Sequence, residues 1–421
     1  MPRLLFVNQH YWPDIASTGQ HLTDLAEHCA ARGFDVDVLC AHARYLAGEL
    51  EAPAEEVHNG VRIRRLRTTA FGRGSHLGRL ADYGGFYLGV LRRLLTGPAY
   101  DLVVVLTTPP LLSYAASLMR RLRKRPYAIW SMDLHPDAEV GLGMLAAGGL
   151  PARRLEAFNR TGYRTADLVI DLGFRMKERI EAKGVEADRL QTIAVWSDGE
   201  EVFPVDPADN AVRRELGLDP DRFVVMYSGN AGLAHRFDEV LEAMCRLRDD
   251  PRFFFLFVGG GPRKAEVEAY IAEHGISNAV YRGYFPREHL AQSLSAGDVH
   301  LLTLREAMAG IAVPGKLYGV MAAGRPIVMV GPERSEPAQT IRDHDIGEVV
   351  DPHAPDAVER LVSILQALAD EPGQRHATGA HARTVFEAHY DRPILCEAWA
   401  QTLADHLDHD LPAPTPIAVP A

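Results

Sequence analysis

Apolar residues in the first half of the chain alternate between short runs and helical spacing. RLLFVN (3–8) is a brief apolar run that breaks into the loop NQHYWPDIASTG. Gln20–Arg32 then sets Leu22, Leu25, Ala26 and Cys29 at the i, i+3, i+4, i+7 spacing of a helix. FDVDVLC (34–40) alternates as a strand does, and VRIRRLR (61–67) does so more weakly. DLVVVL (101–106), YAIWSM (127–132) and DLVIDL (167–172) predict further strands with helix-like stretches between them. Alternation of this length implies a parallel sheet covered by helices on both faces.

The rhythm restarts at Phe223. FVVMYSGN (223–230), RFFFLFVGGGP (252–262), AVYRG (279–283), DVHLLTL (298–304) and PIVMV (326–330) predict strands, separated by helical patterns such as Phe237–Leu247 and Lys264–His274. Residues 197–220, acidic and rich in Pro and Asp, mark the entry to a second Rossmann-like domain. Asp356–Asp370, Gly373–His389 and Ile394–His406 read as closing helices, and LPAPTPIAVPA (411–421) as a frayed Pro-rich tail. Ligands of such open sheets bind beyond the carboxyl ends of the strands, so the loops there are where chemistry is expected.

At 421 residues, two domains are the expectation; 47% apolar and 24% charged residues are ordinary for a globular chain. With no run of 18 apolar residues and no signal-peptide layout over residues 1–13, a cytoplasmic protein is expected. The cysteines (Cys29, Cys40, Cys245, Cys396) lack C-x-x-C spacing and suggest neither disulfides nor zinc. Charge is uneven: residues 1–200 carry 25 Lys/Arg against 23 Asp/Glu, residues 201–421 carry 20 against 33, and residues 61–130 hold 13 basic groups with only Asp82 and Asp101 as acids. Such asymmetry suggests different partners for the two halves.

Four loops offer anion-binding chemistry. ASTGQ (16–20) precedes the first helix, where Gly19 could expose free amides to an anion, or the Ser-Thr-Gly could simply cap. YSGNAGLAHR (227–236) combines Gly229 and Gly232, which let a phosphate approach the backbone, with Asn230, His235 and Arg236 as donors. VGGGP (258–262) is not a dinucleotide fingerprint, because counting from Gly259 puts Lys264 where the third Gly belongs. Its glycines, Gly260 among them, suit a tight turn beside a nucleotide base. In AVPGKLYGVMAAGRP (312–326), Pro314 and Gly315 open a helix with Lys316 at its positive end. That placement costs the isolated helix roughly 0.3–1 kcal/mol and makes sense if a diphosphate arrives there.

Carboxylates complete the inventory. Glu336 in PERSEP (332–337) stands at a strand-to-helix junction, able to accept ribose hydroxyls or to cap its own helix. MDLHPDAE (132–139) gathers Asp133, His135, Asp137 and Glu139 after a first-half strand, the densest polar cluster there. Asp35 and Asp37 form an Asp-x-Asp pair, but inside a strand, where a solvated face is the expected reading. No metal site is expected.

YSGNAGLAH, the VGGGP turn, SLSAGDVHLLTL (293–304), VPGKLYGVMAAGRPIV and Glu336 resemble the retaining glycosyltransferases of family 4, as do the QHYWPD loop, NGVRIRRLR and DLHPDAEVGLG. The bacterial cell-surface polysaccharide branch, of colanic-acid and O-antigen type, is the most similar. The resemblance implies the GT-B fold, an α/β architecture of two Rossmann-like domains facing across a cleft, with the C-terminal helix crossing back to the first domain. Residues 1–200 would bind the acceptor and 201–390 the nucleotide sugar. Residues 391–408 would be the returning helix, and 409–421 the tail. It further implies metal-independent, retaining hexosyl transfer from a nucleoside diphosphate sugar, a UDP-sugar by family weight, with no other cofactor. The acceptor would be a saccharide or a polyprenyl-linked one.

On that reading Lys316 and Arg236 stabilise the leaving diphosphate, and Asp133 or His135 orients the acceptor hydroxyl. Gly19, Gly229, Asn230, His235, Gly260, Gly315 and Glu336 surround the donor. Two glutamates, eight apart in many members, are replaced here by Ile311 and Gly319. A sugar-nucleotide 2-epimerase of the same fold, or a non-enzymatic sugar-nucleotide-binding protein, therefore stays open as an alternative. No nucleic acid is implied. GFYLGVLRRLL (85–95) and MRRLRKR (119–125) set arginines beside apolar helix faces, so region 61–130 is expected to meet an anionic membrane surface peripherally.

Overall fold

The computed structural model describes residues 1–42, 52–67 and 76–412. Residues 68–75 of the basic region and the Pro-rich tail from 413 onward lie outside the described residues. The chain forms two compact units, Met1–Ala194 with Leu395–Ala421, and Val195–Ile394.

The first unit carries strands β1 (Arg3–Val7), β2 (Asp35–Ala41), β3 (Glu55–His58), β4 (Val61–Leu66), β5 (Leu102–Leu106), β6 (Tyr127–Trp130), β7 (Leu168–Asp171) and β8 (Leu190–Thr192). Its helices are α1 (Ser17–Ala31), α2 (His76–Thr96), α3 (Leu112–Arg123), α4 (Asp137–Gly141), α5 (Leu150–Thr165) and α6 (Phe174–Ala182). The sheet order is β3-β4-β2-β1-β5-β6-β7-β8, with only the β3–β4 pair antiparallel. Strand order reverses direction at β1 and β5, so the loops after those strands form the switch point. Every residue of β5, LVVVL, is buried, as a strand covered on both faces requires.

The second unit carries β9 (Phe223–Ser228), β10 (Phe253–Val258), β11 (Ala279–Arg282), β12 (Val299–Thr303), β13 (Ile327–Val330) and β14 (Gly347–Val350). Between and after them run α7 (Ala211–Glu215), α8 (Asp238–Arg246), α9 (Lys264–Glu273), α10 (Leu290–Ser295), α11 (Lys316–Ala322), α12 (Glu336–Asp343), α13 (Ala357–Asp370), α14 (Pro372–His389) and α15 (Arg392–His406). The sheet is wholly parallel in the order β11-β10-β9-β12-β13-β14, and its switch point lies between β9 and β12. From Leu395 onward α15 packs into the first unit. There Trp399 meets Trp130 at 4.6 Å between ring centroids, and Glu397 accepts from Arg32 and His28 at 2.9 Å.

Two expectations change. Asp37 does not lie on a solvated strand face: it is fully buried. It accepts from the Tyr100 hydroxyl at 2.6 Å, from Arg62 at 2.6 Å and from Arg3 at 3.2 Å. A buried carboxylate survives only with such partners, and this one ties β1, β2 and β4 together. Three arginines of the basic run VRIRRLR are likewise used up internally. Arg62 pairs with Asp35 and Asp37, Arg64 with Glu55, and the buried Arg65 with Glu56 while donating to the Pro53 and Trp12 carbonyls.

Candidate active site

The loops after β9 and β10 close on each other backbone to backbone. Gly229 N–H donates to the Val258 carbonyl at 2.8 Å, Ala231 to Gly260 at 2.6 Å, and Arg263 to Ala231 at 3.0 Å. A Cβ on Gly259 would stand 2.0 Å from the Gly229 carbonyl oxygen, and one on Gly261 2.4 Å from the Asn230 Oδ1. With φ of +138° and +119°, both positions also adopt backbone that favours glycine. Gly259 and Gly261 of VGGGP thus let the two loops touch.

Lys316, the first residue of α11, reaches this junction from the β12 side. Its Nζ donates to the Tyr227 hydroxyl at 2.6 Å and lies 4.0 Å from the centroid of that ring. A Cβ on Gly229 would stand 3.4 Å from the same Nζ, so the ammonium sits against the glycine turn. Tyr227 in turn donates to the Asn230 carbonyl at 3.1 Å. Among the described residues no carboxylate pairs with Lys316. Enclosure strips enough water from the ammonium to push its pKa down to about 7. The amides of Leu317 and Tyr318 turn back to the Pro314 and Gly315 carbonyls at 3.2 Å. An unpaired cation, a glycine turn and a helix start therefore meet at one place.

His235 lies at the same switch point but is not a cation. Its Nδ1 donates to the Thr303 carbonyl at 2.6 Å, which leaves Nε2 as an acceptor. Burial first, then the nearby Lys316, pushes its pKa down to about 3. Arg236, expected to face a diphosphate, instead grips Glu239 with Nε at 2.8 Å and with Nη2. That pair opens α8 and leaves little of the guanidinium for a ligand. Asn230 is exposed at the turn. Gly260 faces the ring of the exposed Tyr284, 3.5 Å from where its Cβ would be. Glu336 begins α12, buried, one strand further along the sheet, where its charge helps raise the Tyr318 pKa after burial has done so.

Sequence reasoning missed Tyr227, Arg263 and Tyr284. Arg263 donates to the His235 carbonyl at 2.5 Å and to Glu266 at 2.7 Å, so it fastens the β10 loop to the β9 loop. Tyr227 was legible only as a strand residue; its position directly before Ser-Gly was the available signal.

In the first unit, Gly19 sits within the first turn of α1, not before it, and its amide already donates to the Ala16 carbonyl at 2.8 Å. Its lack of a side chain serves packing, since a Cβ would stand 3.1 Å from the His10 carbonyl carbon. Asp133 follows β6, and its amide donates to Thr107 Oγ1, at the end of β5, at 3.1 Å. Burial raises its pKa, with His135 opposing and Glu139 adding to the rise. His135 Nδ1 lies 2.8 Å from Glu139 Oε1. Burial alone would lower this imidazole, but Glu139 and the nearby Asp133 and Asp137 more than offset it, so its pKa is raised. Asp137 separates from the group: it binds the buried Lys183 at 2.6 Å, which also holds Glu156 at 2.8 Å. Among the described residues no three metal-ligating groups cluster as a cation site requires.

Two Rossmann-like parallel-sheet domains in one chain, with glycine turns and an unpaired lysine at the switch point of the second, define the class as an α/β protein of the GT-B fold. The model of a glycosyl transferase 4-like domain matches residues 18–196, and that of glycosyl transferases group 1 matches residues 209–385. The chain belongs to this glycosyltransferase family. WcaI of Escherichia coli (strain K12), assigned by name to colanic acid biosynthesis as a glycosyl transferase, is 28% identical over 87% of this chain and 92% of its own. Among solved structures, sucrose-phosphate synthase from Thermosynechococcus elongatus has a TM-score of 0.75 at 17% identity, covering 96% of this chain and 99% of its own. Anabaena HepE in complex with UDP and glucose has a TM-score of 0.71 at 16% identity, covering 96% and 100%.

Proposed function

We propose that this glycosyltransferase moves a hexosyl group, with retention and without a metal, from a UDP-sugar to a saccharide or polyprenyl-linked acceptor in cell-surface polysaccharide synthesis. The observation that carries the donor reading is Lys316, a cation without a carboxylate partner among the described residues, set against the Gly229 turn. The UDP bound to HepE and the colanic-acid role in the name of WcaI point the same way.

On this reading the diphosphate lies on Lys316 and the backbone around Gly229, Asn230 and Gly315. The base rests by Gly260 and Tyr284, and Glu336 takes the ribose. His235, neutral, accepts a hydrogen bond through Nε2. Asp133 and the His135–Glu139 pair orient the acceptor in the first unit, which meets an anionic membrane peripherally. Arg236 tunes the loop through Glu239 more than it touches phosphate.

The chemistry needs no protein nucleophile. The bond from the anomeric carbon to the leaving diphosphate oxygen breaks as the bond to the acceptor oxygen forms on the same face. The acceptor proton passes to the departing diphosphate. Lys316, partly shielded from water, stabilises the charge growing there. Incubation with a panel of UDP-sugars in EDTA, followed by proton NMR, tests this: slow transfer to water should release the sugar with the donor's anomeric configuration. First-formed product of inverted configuration, or release that depends on added metal, would overturn the reading.

A further inference from the structure

Helices α3 and α5 lie side by side in the first unit, with the Tyr114 and Phe158 rings 4.8 Å apart. Gly162 lets them close, since a Cβ there would stand 2.8 Å from the backbone of Ser113. Their outer sides border a groove of about 610 Å³ lined by Tyr114, Ser117, Arg121, Lys124, Thr161 and Thr165, among others. Much of the basic charge expected to be free in region 61–130 is not: besides the arginines of β4, Arg120 pairs with Asp167 at 2.7 Å, and Arg125 donates to the Pro98 carbonyl at 2.6 Å. Arg67 and Arg92 are also left without a carboxylate partner among the described residues, but the one close group lies here. Arg121, Arg123 and Lys124, at the end of α3, and Arg153, Arg154 and Arg164 on α5 have no carboxylate partner among the described residues.

Neither helix presents free acids beside them: α3 has none, and Glu156 of α5 is held by Lys183. Leu122, Leu150 and Phe158 are exposed on the same two helices. Basic side chains with long apolar stems beside exposed Leu and Phe match a surface that is anionic outside and apolar beneath.

We infer that the α3–α5 face is the membrane-docking surface, with an anionic lipid phosphate seated in the groove at Arg121 and Lys124 and with Leu122 and Phe158 entering the acyl boundary. This rests on the reading above that the protein works at an anionic membrane, and it moves the contact from region 61–130 as a whole to the end of α3 and to α5. A polyanion such as RNA would use the arginines but leave the apolar residues without a purpose. No helix among the described residues is long and apolar enough to cross a membrane, so attachment through this face would be peripheral.

The test is vesicle flotation of the full chain with phosphatidylcholine alone and with phosphatidylglycerol added. Flotation only with the anionic vesicles is expected, weakened by salt and reduced by about tenfold or more in apparent affinity in Arg121→Glu/Lys124→Glu, given about 1 kcal/mol per basic residue near such a surface. Leu122→Ser should weaken it as well. The UDP thermal shift should stay unchanged in each variant, which separates failure of docking from failure of fold or donor site. Wild-type protein that ignores anionic vesicles, variants that float as wild type does, or salt-sensitive capture of an oligonucleotide in place of vesicles would overturn the inference. The transferase reading would still stand on its own NMR test.

Discussion

Tyr227 holds the Lys316 ammonium through both its hydroxyl and its ring, while withholding the counter-charge that a carboxylate would supply. The lysine is therefore aimed but electrostatically unsatisfied, and enclosure brings its pKa to about 7. A bound diphosphate would hold the proton and raise that pKa. Binding of a UDP-sugar, whose diphosphate is esterified at both ends, is thus expected to be strongest below about pH 7. It should weaken toward pH 9, by up to about tenfold per unit. His235 and His300, pushed down to about 3 and about 4 by burial, are neutral across that range and add nothing to the slope. Calorimetry from pH 6.5 to 9 checks this, and Lys316→Arg, always charged, should flatten the profile. A flat wild-type profile would mean that Lys316 does not meet the diphosphate.

At the scale of elements, the β9 and β10 loops act as one structure because glycine lets their backbones touch. Gly259→Ala would drive a methyl into the Gly229 carbonyl and strain a positive φ, at a cost of roughly 2–4 kcal/mol. A lowered Tm together with weakened UDP binding is the expected outcome. Gly283→Ala, with nothing within 4 Å of its added Cβ, serves as the control and should change neither. The strands buried on both faces were legible in the sequence because runs such as LVVVL and FFFLFV have few other uses. The polar edge strand β3 (EEVH), the three-residue β8 and the short β14 were not, since edge and brief strands carry too little apolar pattern. Asp37 misled for a related reason. Alternation assigns a charged residue to the solvent face, and its partners Arg3, Arg62 and Tyr100 are scattered along the chain.

For the whole molecule, two doubly wound sheets give two switch points, and the proposed site residues divide between them. The Pro-Gly-Lys punctuation before α11 made Lys316 readable. The hydrogen bonds that spend the Gly19 amide and the Arg236 guanidinium were not, because they depend on how a loop turns back on its own helix. The first sheet is completed from far along the chain, by α15 residues such as Trp399 and Glu397. On the proposed function, a nucleoside diphosphate rests on the switch point of the second sheet and is held by Lys316. Hydrogen–deuterium exchange of the full chain with and without UDP addresses that most directly. Slowed exchange over residues 228–236, 258–263 and 313–320, lost in Lys316→Ala at the same UDP concentration, is the expected result. Unchanged exchange in those three segments, while UDP protects other parts of the chain or none, would place the donor elsewhere.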